Sequence, residues 1–350
     1  MNKASMTLQQ LLGISLPIIQ APMAGVQGSA LAAAVSAAGG LGSLPCALLS
    51  PDAMRKELQA LSAQVTNPYN VNFFCHTQPE PNVERENAWR AALSRYFTEF
   101  GLDVHDIPNG LARVPFDDAT ADVLCEFKPA VVSFHFGLPT ANLLTRVKKL
   151  GAKILSTATT VDEARWLQVH GVDAIIAQGA EAGGHRGMFL STDLNSQVGT
   201  FALVPQVVAA VNVPVIAAGG IADAQGVAAA MKLGAAGVQI GTAFLLCPEA
   251  TTSALHRAAL KSDAARLTAL TNVFTGRPAR GIVNRAIREL GPMSDRAPAF
   301  PLAASTLAPL RAKAESLNNH DFSPLWAGQN ASGCKEILAG QLTRELVREL

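Results

Sequence analysis

Short apolar runs alternate with segments of helical periodicity along most of the chain. Apolar runs bounded by glycine or proline are typical of buried parallel strands. The pattern predicts eight strands, at 16–23, 41–45, 69–74, 130–136, 153–158, 173–176, 213–221 and 237–242. It predicts helices at 28–38, after Ser50–Pro51, and at 139–150, 161–170 and 222–233. Eight strands that alternate with helices predict an α/β fold, a closed (β/α)8 TIM barrel.

A doubly wound open sheet is the alternative fold. Such a sheet usually carries a G-x-G-x-x-G nucleotide fingerprint directly after its first strand. The sequence Gly25-Val26-Gln27-Gly28 stands at that place and does not match the fingerprint. The barrel is therefore the favoured prediction.

Two stretches interrupt the alternation. The first, 76–118, contains four prolines around one amphipathic helix predicted at 83–100. The second, 249–324, has helical patterns at 250–261, 263–270 and 303–317. We expect both to form a mostly helical cap domain over the barrel mouth, with 1–75, 119–248 and 325–350 forming the barrel. The amphipathic end, 335–350, is expected to return as the last barrel helix, with an exposed terminal helix as the alternative.

Composition narrows the class of protein. The chain has 350 residues, of which 49% are hydrophobic and 16% charged, and its net charge is +1. These values predict a globular protein without a nucleic-acid partner, and no apolar run resembles a signal peptide or a membrane span. Five cysteines without metal spacing indicate free thiols in a reducing cytoplasm, and no metal site. A monomer and a homodimer both remain open.

The candidate chemistry lies on the loops that follow the predicted strands, because barrel enzymes place their active sites there. The segment 177–187 is rich in glycine and contains one imidazole, His185, a candidate proton acceptor. The late loops carry Gly219–Gly220 and Gly241–Thr242, whose amides and hydroxyl suit a phosphate group. The same loops hold neither paired carboxylates nor a metal cluster, so hydrolysis and metal catalysis are poorly supported. An organic cofactor that supplies the chemistry fits this set better.

The ordered motifs of the chain resemble the FMN-dependent nitronate monooxygenases, formerly called 2-nitropropane dioxygenases. The resemblance covers nearly the whole chain. The segments that carry it are 20–23 (QAPM), 71–74 (VNFF), 178–187 (Q-G-x3-G-G-H-x-G), 217–222 (AAGGIA), 239–242 (QIGT) and 275–281 (TGRPARG).

The resemblance implies FMN as the cofactor and His185 as the catalytic histidine. It implies oxidation of alkyl nitronates, propionate 3-nitronate among them, with O2 through a transient flavosemiquinone, giving a carbonyl compound and nitrite. His185 would position the nitronate, or remove the α-proton of a neutral nitroalkane. The positions that match FMN contacts of the family are Pro22, Met23, Asn72, Gln178, Gly183, Gly219, Gly220, Gln239, Ile240, Gly241 and Thr242.

Several assignments stay open at this point. Asn72 and Gln178 can instead serve backbone groups at strand ends, and Ser133, His135 and Ser156 have no assigned role. Arg277 and Arg280 are candidates for a phosphate or substrate anion, with surface salt bridges as the alternative. The chain has two tyrosines, whereas relatives can line the substrate cavity with several; if Phe74, Phe136, Phe244 or Phe300 fills those places, the cavity is more apolar and the substrate preference stays open.

Two other classes of function are carried forward. The first is an FMN-dependent NAD(P)H oxidoreductase, either a quinone reductase or an enoyl-thioester reductase. The second is a flavin-binding barrel without enzymatic activity.

Overall fold

The computed structural model describes residues 6–80, 82–103 and 113–350. Parallel strands alternate with helices, and the strands are short because each crosses the barrel wall once. Within the described residues the strands are β1 (Ile18–Gln20), β2 (Gly42–Pro45), β3 (Tyr69–Phe74), β4 (Val131–His135), β5 (Lys153–Ala158), β6 (Ala174–Gln178), β7 (Gly184–His185), β8 (Val215–Ala218), β9 (Gly237–Ile240), β10 (Thr268–Thr271) and β11 (Ala279–Ile282).

Eight of these strands form the barrel in the order β1-β9-β8-β6-β5-β4-β3-β2, and all pairs are parallel. The first and last members of this order meet at a parallel bridge between Ile19 and Leu41. Two backbone hydrogen bonds hold the seam, from Gln20 N to Leu41 O at 2.9 Å and from Leu41 N to Ile18 O at 2.8 Å. The predicted TIM barrel is thereby confirmed.

Helices cover the outside of the barrel and build the cap. Ser50 begins one of them as predicted, since its side chain accepts a hydrogen bond from Ala53 N at 3.2 Å. The helices of the described residues are α1 (Leu8–Leu12), α2 (Ser29–Ala37), α3 (Pro51–Gln64), α4 (Val83–Glu99), α5 (Asp118–Phe127), α6 (Ala141–Lys149), α7 (Val161–Val169), α8 (Thr200–Ala210), α9 (Ala224–Lys232), α10 (Ala254–Leu260), α11 (Arg285–Leu290), α12 (Leu302–Ser316) and α13 (Ala339–Glu345).

The interior of the barrel is filled by side chains from alternate strand positions. Ile19, Leu155 and Ile176 belong to one buried cluster, together with Leu8 and Leu12 of α1. The helix α1, which the sequence pattern did not predict, therefore closes the amino-terminal end of the barrel. No helix among the described residues has the length and apolar character needed to cross a membrane.

The cap has a core of its own. Trp89 and Leu93 of α4 pack with Leu307 and Leu310 of α12, so residues from the two predicted cap stretches meet in one buried cluster. Leu342 of α13 belongs instead to the main barrel cluster, and α13 packs on α2. The division of the chain into barrel and cap at the predicted boundaries stays a prediction.

The helix predicted at 263–270 is wrong. A short 3-10 helix at Asp263–Arg266 leads into β10, which pairs antiparallel with β11, and β11 pairs antiparallel with β7. β7 is distant in sequence from β11, and β10 and β11 are short strands of four residues each, so local periodicity did not reveal this sheet. The cap therefore includes strands as well as helices.

Close packing of α2 on β2 gives a test of the fold. A Cβ added to Gly42 would lie 1.9 Å from the Ala32 carbonyl oxygen. We therefore expect Gly42→Ala to destabilise the protein by about 3 kcal/mol or to prevent folding, because helix backbone must move. Gly226→Ala in α9 is the matched control, since its Cβ would make ordinary contacts with Ile221 and Asp223 and raise stability by roughly 0.5–1 kcal/mol. Urea midpoints measure both, and an unchanged midpoint for Gly42→Ala would contradict the packing.

Candidate active site

A cavity lies at the carboxyl ends of the barrel strands and is lined on its outer side by the cap. It holds about 1340 Å3, including the space at its opening. The structure brings all of the predicted site residues to this cavity, namely Pro22, Met23, Asn72, Gln178, Gly183, His185, Gly219, Gly220, Gln239, Ile240, Gly241 and Thr242.

The backbone of His185 is fixed from two sides. On the cap side, β7 pairs with β11, which places Ala279 opposite His185. On the barrel side, Gln178 Nε2 donates to His185 O at 3.0 Å, while Gln178 Oε1 accepts from Gly187 N at 2.8 Å. Both ends of the Gln178 amide are thus used to shape the loop that carries the imidazole. Gln178 acts here as a positioning residue.

His135 supports the same carbonyl. Its Nε2 lies 3.2 Å from His185 O and its Nδ1 lies 3.1 Å from Thr157 Oγ1. A carbonyl only accepts, so Nε2 carries the proton and Nδ1 accepts from the threonine hydroxyl. Burial, outweighing the bond to His185 O, lowers the pKa of His135 to about 3 and keeps the ring neutral. This is the structural role left open for His135 by the sequence.

The imidazole of His185 lies among aromatic rings at the cavity wall. The centres of Phe300 and Trp326 are 5.4 Å and 5.6 Å from its own. Its Nε2 lies 2.9 Å from the Thr275 hydroxyl. Burial first, and then the positive charge of Arg113, hold the pKa of His185 well below its usual range. The ring is therefore neutral at pH 7, and positive potential in the cavity comes from arginine.

Asn72 and Ser133 are joined at neighbouring strand ends. Asn72 Nδ2 donates to Ser133 Oγ at 2.9 Å and to Ser133 O at 3.2 Å. The amide nitrogen is thus used within the barrel wall, as the structural alternative for Asn72 expected. Both residues still line the cavity.

Glycines shape the side of the cavity next to β8 and β9. Gly219 and Gly220 have φ angles of 120° and 72°, which few other residues adopt. A Cβ on Gly241 would lie 3.3 Å from the Ala21 Cβ and 3.4 Å from the Met23 sulfur. At these positions the backbone therefore borders the cavity directly, with no side chain between it and a ligand. A phosphate group or a planar ring needs such close access to the backbone.

Two polar atoms near these glycines point to a bound group. Gln239 Oε1 is buried and has no hydrogen-bond partner among the described residues. Thr242 Oγ1 accepts from Gly328 N at 2.9 Å, so its hydroxyl proton is directed elsewhere and can serve an anion. An unsatisfied buried acceptor is costly in a native structure, which fits a site completed by a cofactor.

The segment 326–330 was missed by the sequence interpretation. Trp326, Gly328 and Asn330 line the cavity, and Asn330 Nδ2 donates to Gly220 O at 3.0 Å. A Cβ on Gly183 would lie 2.5 Å from Gly328 N, so Gly183 is needed where this segment crosses the glycine-rich loop. The interpretation also missed His256 and Arg113, which line the same cavity. No local motif marks these residues.

The arginines near the loop are buried, and they bind backbone carbonyl groups. Arg186, absent from the predicted site, donates to Gly179 O at 2.6 Å and to Gln178 O at 2.7 Å. Arg280 donates to Ala180 O at 2.8 Å. Arg277 donates to the Met188 carbonyl and lies 3.9 Å from the centre of the Phe136 ring. Within the described part of the chain, neither Arg277 nor Arg280 makes the surface salt bridge that was the alternative.

Phenylalanines form the apolar wall near His185. Phe74, Phe136 and Phe300 make one buried cluster, and the Phe74 and Phe136 ring centres are each 6.0 Å from that of His185. Phe244 instead lies in the barrel core and does not reach this wall. Of the four candidates, Phe74 lines the cavity, Phe136 and Phe300 pack against it, and Phe244 lies in the barrel core.

Comparison with known proteins gives one consistent result. The family model described as nitronate monooxygenase matches residues 5–349. A curated relative from Pseudomonas aeruginosa, named nitronate monooxygenase, is 43% identical over 97% of this chain and 98% of its own. A second, from Paraburkholderia phytofirmans and with the same name, is 42% identical over 98% of this chain and 94% of its own.

Solved structures show the same likeness. The nitroalkane oxidase from Streptomyces ansochromogenes has a TM-score of 0.89 and 39% identity, covering 98% of this chain and 97% of its own. FabK from Thermotoga maritima has a TM-score of 0.75 and 30% identity, covering 98% of this chain and 95% of its own.

The buried histidines predict how stability depends on pH. Burial lowers the pKa of His76 and of His256 to about 4, from an ordinary value of 6.5. Below pH 6.5 the unfolded chain therefore binds protons that the folded chain does not. We expect the free energy of unfolding to fall as pH drops from 6.5 to 5, by up to about 1.4 kcal/mol per pH unit for each such histidine.

Urea midpoints measured between pH 6.5 and 5 report this loss of stability. His256→Gln removes one of the titrating groups and should reduce the pH dependence of the unfolding free energy by the contribution of that histidine. A stability that stays constant between pH 6.5 and 5 would contradict the neutral, buried state of these rings.

Proposed function

The chain belongs to the nitronate monooxygenase family, and we propose that it oxidises alkyl nitronates with O2, using FMN bound at the barrel mouth. The products are a carbonyl compound and nitrite. The observation that carries this proposal is the placement of His185, a neutral imidazole that is fixed in a cavity also lined by the glycines that follow β8 and β9.

The family is one of flavin enzymes, and the residues present fit FMN. The unpartnered Gln239 oxygen and the side-chain-free backbone at Gly219, Gly220 and Gly241 support this cofactor. We propose that these three glycines and Thr242 hold its phosphate. Pro22 and Met23 would pack near its ring, and Asn72, Gly183, Gln239 and Ile240 would supply the remaining contacts, with Gln178 positioning the loop.

When bound, the flavin supplies the oxidation by accepting electrons from the substrate and passing them to O2. The protein residues bind and orient the substrate. Thr275 fixes the ring of His185 through Nε2, and the phenylalanine wall excludes water. A neutral imidazole can accept the α-proton of a nitroalkane, whereas a nitronate has already lost it. Nearby arginine charge stabilises the resulting anion.

The FMN-dependent NAD(P)H reductase stays as the second candidate. Its support is the 30% identity to FabK over nearly the whole chain, which is weaker than the 43% identity to the Pseudomonas relative. We also propose a cytoplasmic location, which the five free thiols support. A monomer or a homodimer stays a prediction.

The proton-acceptor role of His185 predicts different losses for two substrates. In His185→Asn, nitrite release from a neutral nitroalkane should fall about 100-fold or more. Release from the preformed nitronate should fall less, because no proton need be removed. The FMN content should stay that of the wild type. His170→Asn, an exposed histidine stacked on Trp166, is the control and should leave both rates unchanged.

Anaerobic mixing separates the two enzyme classes. Nitronate should change the flavin absorbance much faster than NADH does. Rapid bleaching by NADH without reaction with nitronate would overturn the monooxygenase. Equal rates for His185→Asn and wild type with the nitroalkane would remove the assigned role of His185.

A further inference from the structure

A fully buried arginine follows His185 in the chain. The guanidinium of Arg186 donates to Gln178 O at 2.7 Å, to Gly179 O at 2.6 Å and to Gln197 Oε1 at 3.0 Å. No carboxylate among the described residues forms an ion pair with it. Burial is the main cause that lowers its pKa, to about 10, so the group is charged at pH 7. Because a buried charge is costly, these hydrogen bonds must hold the guanidinium in one place.

The guanidinium closes the glycine-rich loop at its base. Gln178 is the last residue of β6, and Arg186 directly follows β7, so the bonds to Gln178 O and Gly179 O join the beginning of the loop to its end. The side chain of Gln178 in turn donates to His185 O at 3.0 Å. By fixing the backbone of Gln178, Arg186 therefore fixes the contact that places His185.

Arg186 also connects the cap side of the loop to the barrel side. Its backbone N donates to Pro278 O at 2.9 Å, next to the pairing of β7 with β11, while its side chain binds the end of β6. His185 spans the same junction, because its Nε2 lies 2.9 Å from the Thr275 hydroxyl and its carbonyl accepts from Gln178. The separation of the two sides thus sets the direction of the imidazole, and Arg186 is bonded to both.

A chain of hydrogen bonds holds the guanidinium from behind. Gln197 accepts from Arg186 Nε, and Gln197 Nε2 donates to Thr159 Oγ1 at 3.0 Å. Thr159 Oγ1 donates to Glu163 Oε2 at 2.7 Å, and Glu163 is 1% exposed. The other carboxylate oxygen of Glu163 accepts from Phe189 N at 2.6 Å. Hydrogen bonds in such a buried chain polarise one another, so each member holds the next in one orientation.

We propose that Arg186 is a positioning residue for proton transfer to His185, acting through Gln178 and β7. In this transfer the imidazole takes the α-proton of a neutral nitroalkane, and the electron pair of the broken C–H bond stays on the substrate as the nitronate. The imidazole must lie within hydrogen-bond reach of that proton, so a small displacement is costly. A preformed nitronate needs no such transfer and depends less on Arg186. This role rests on the proposed function.

The test compares nitroethane with ethyl nitronate on the FMN-loaded enzyme. In Arg186→Met, kcat/KM for nitroethane should fall about 30-fold or more, because the imidazole is misplaced. The value for ethyl nitronate should stay within about threefold of wild type. Arg186→Lys keeps the charge without the fork and should give an intermediate loss. Arg266→Met, at an arginine whose side chain is 84% exposed, is the matched control.

A double-mutant cycle separates positioning from a general structural effect. Adding Arg186→Met to His185→Asn should change nitroethane turnover by less than about threefold, because the group to be positioned is gone. The deuterium isotope effect with α-deuterated nitroethane should be larger in Arg186→Met than in wild type, since proton transfer becomes slower. Equal losses for the two substrates, full additivity with His185→Asn, or a wild type that oxidises only the nitronate would overturn the proposal.

Further measurements keep the test independent of how well Arg186→Met folds. Gln197→Leu removes one support of the guanidinium and should lower kcat/KM for nitroethane alone, by about fivefold. Gln206→Leu, exposed on α8, is its control.

Amide hydrogen exchange of residues 179–187 reports on the loop itself and should be faster in Arg186→Lys than in wild type. Unchanged exchange would overturn the proposal. If the wild type releases nitrite from neither substrate while exchange still depends on Arg186, the proposed function fails and the anchoring of the loop by Arg186 stands.

Discussion

The site depends on one carbonyl group, that of His185, which is held by two side chains from the barrel wall. Gln178 donates to it at 3.0 Å and His135 lies 3.2 Å from it. The pairing of β7 with β11 fixes the same two-residue strand from the cap side. A glycine-rich loop would otherwise be free to move, since glycine loses more conformational entropy on ordering than other residues. The position of the His185 imidazole is therefore defined by contacts from the barrel and from the cap together.

The electrostatics follow from that arrangement. The rings of His76, His135 and His185 lie among phenylalanines and close to arginine, so their pKa values are lowered and they are neutral at pH 7. The positive charge near the cavity therefore comes from the guanidinium groups of arginines, which stay protonated when half-buried. A cavity of this kind attracts an anion and keeps its histidines able to accept a proton. Both properties suit the chemistry of a nitronate and its parent nitroalkane.

The sequence predicted the barrel because each of its strands is a local, recognisable run. It also predicted the residues at the strand ends, since a closed barrel brings those ends together. It did not predict β10 and β11, because both are short and β11 also pairs with the distant β7, and it misread 263–270 as a helix. Nor could it predict Arg186, because an arginine in a glycine-rich loop gives no sign that it will bind two buried carbonyls.

The contributions of Arg113 and of 326–330 were equally invisible, since neither lies at the end of a predicted barrel strand and neither carries a motif. Nor could the sequence tell which of the four candidate phenylalanines reach the cavity, because both faces of a buried wall are apolar; Phe244 lies in the barrel core.

The central claim is that glycine amides on the β8–β9 side hold a flavin phosphate in the cavity that His185 lines. It is tested most directly by the affinities of the flavin-free protein for FMN and for riboflavin, which differ in the phosphate alone. Quenching of flavin fluorescence should show FMN bound about 100-fold more tightly or better, and Gly220→Ala should shrink that difference. Equal affinity of the wild type for the two flavins would contradict the account.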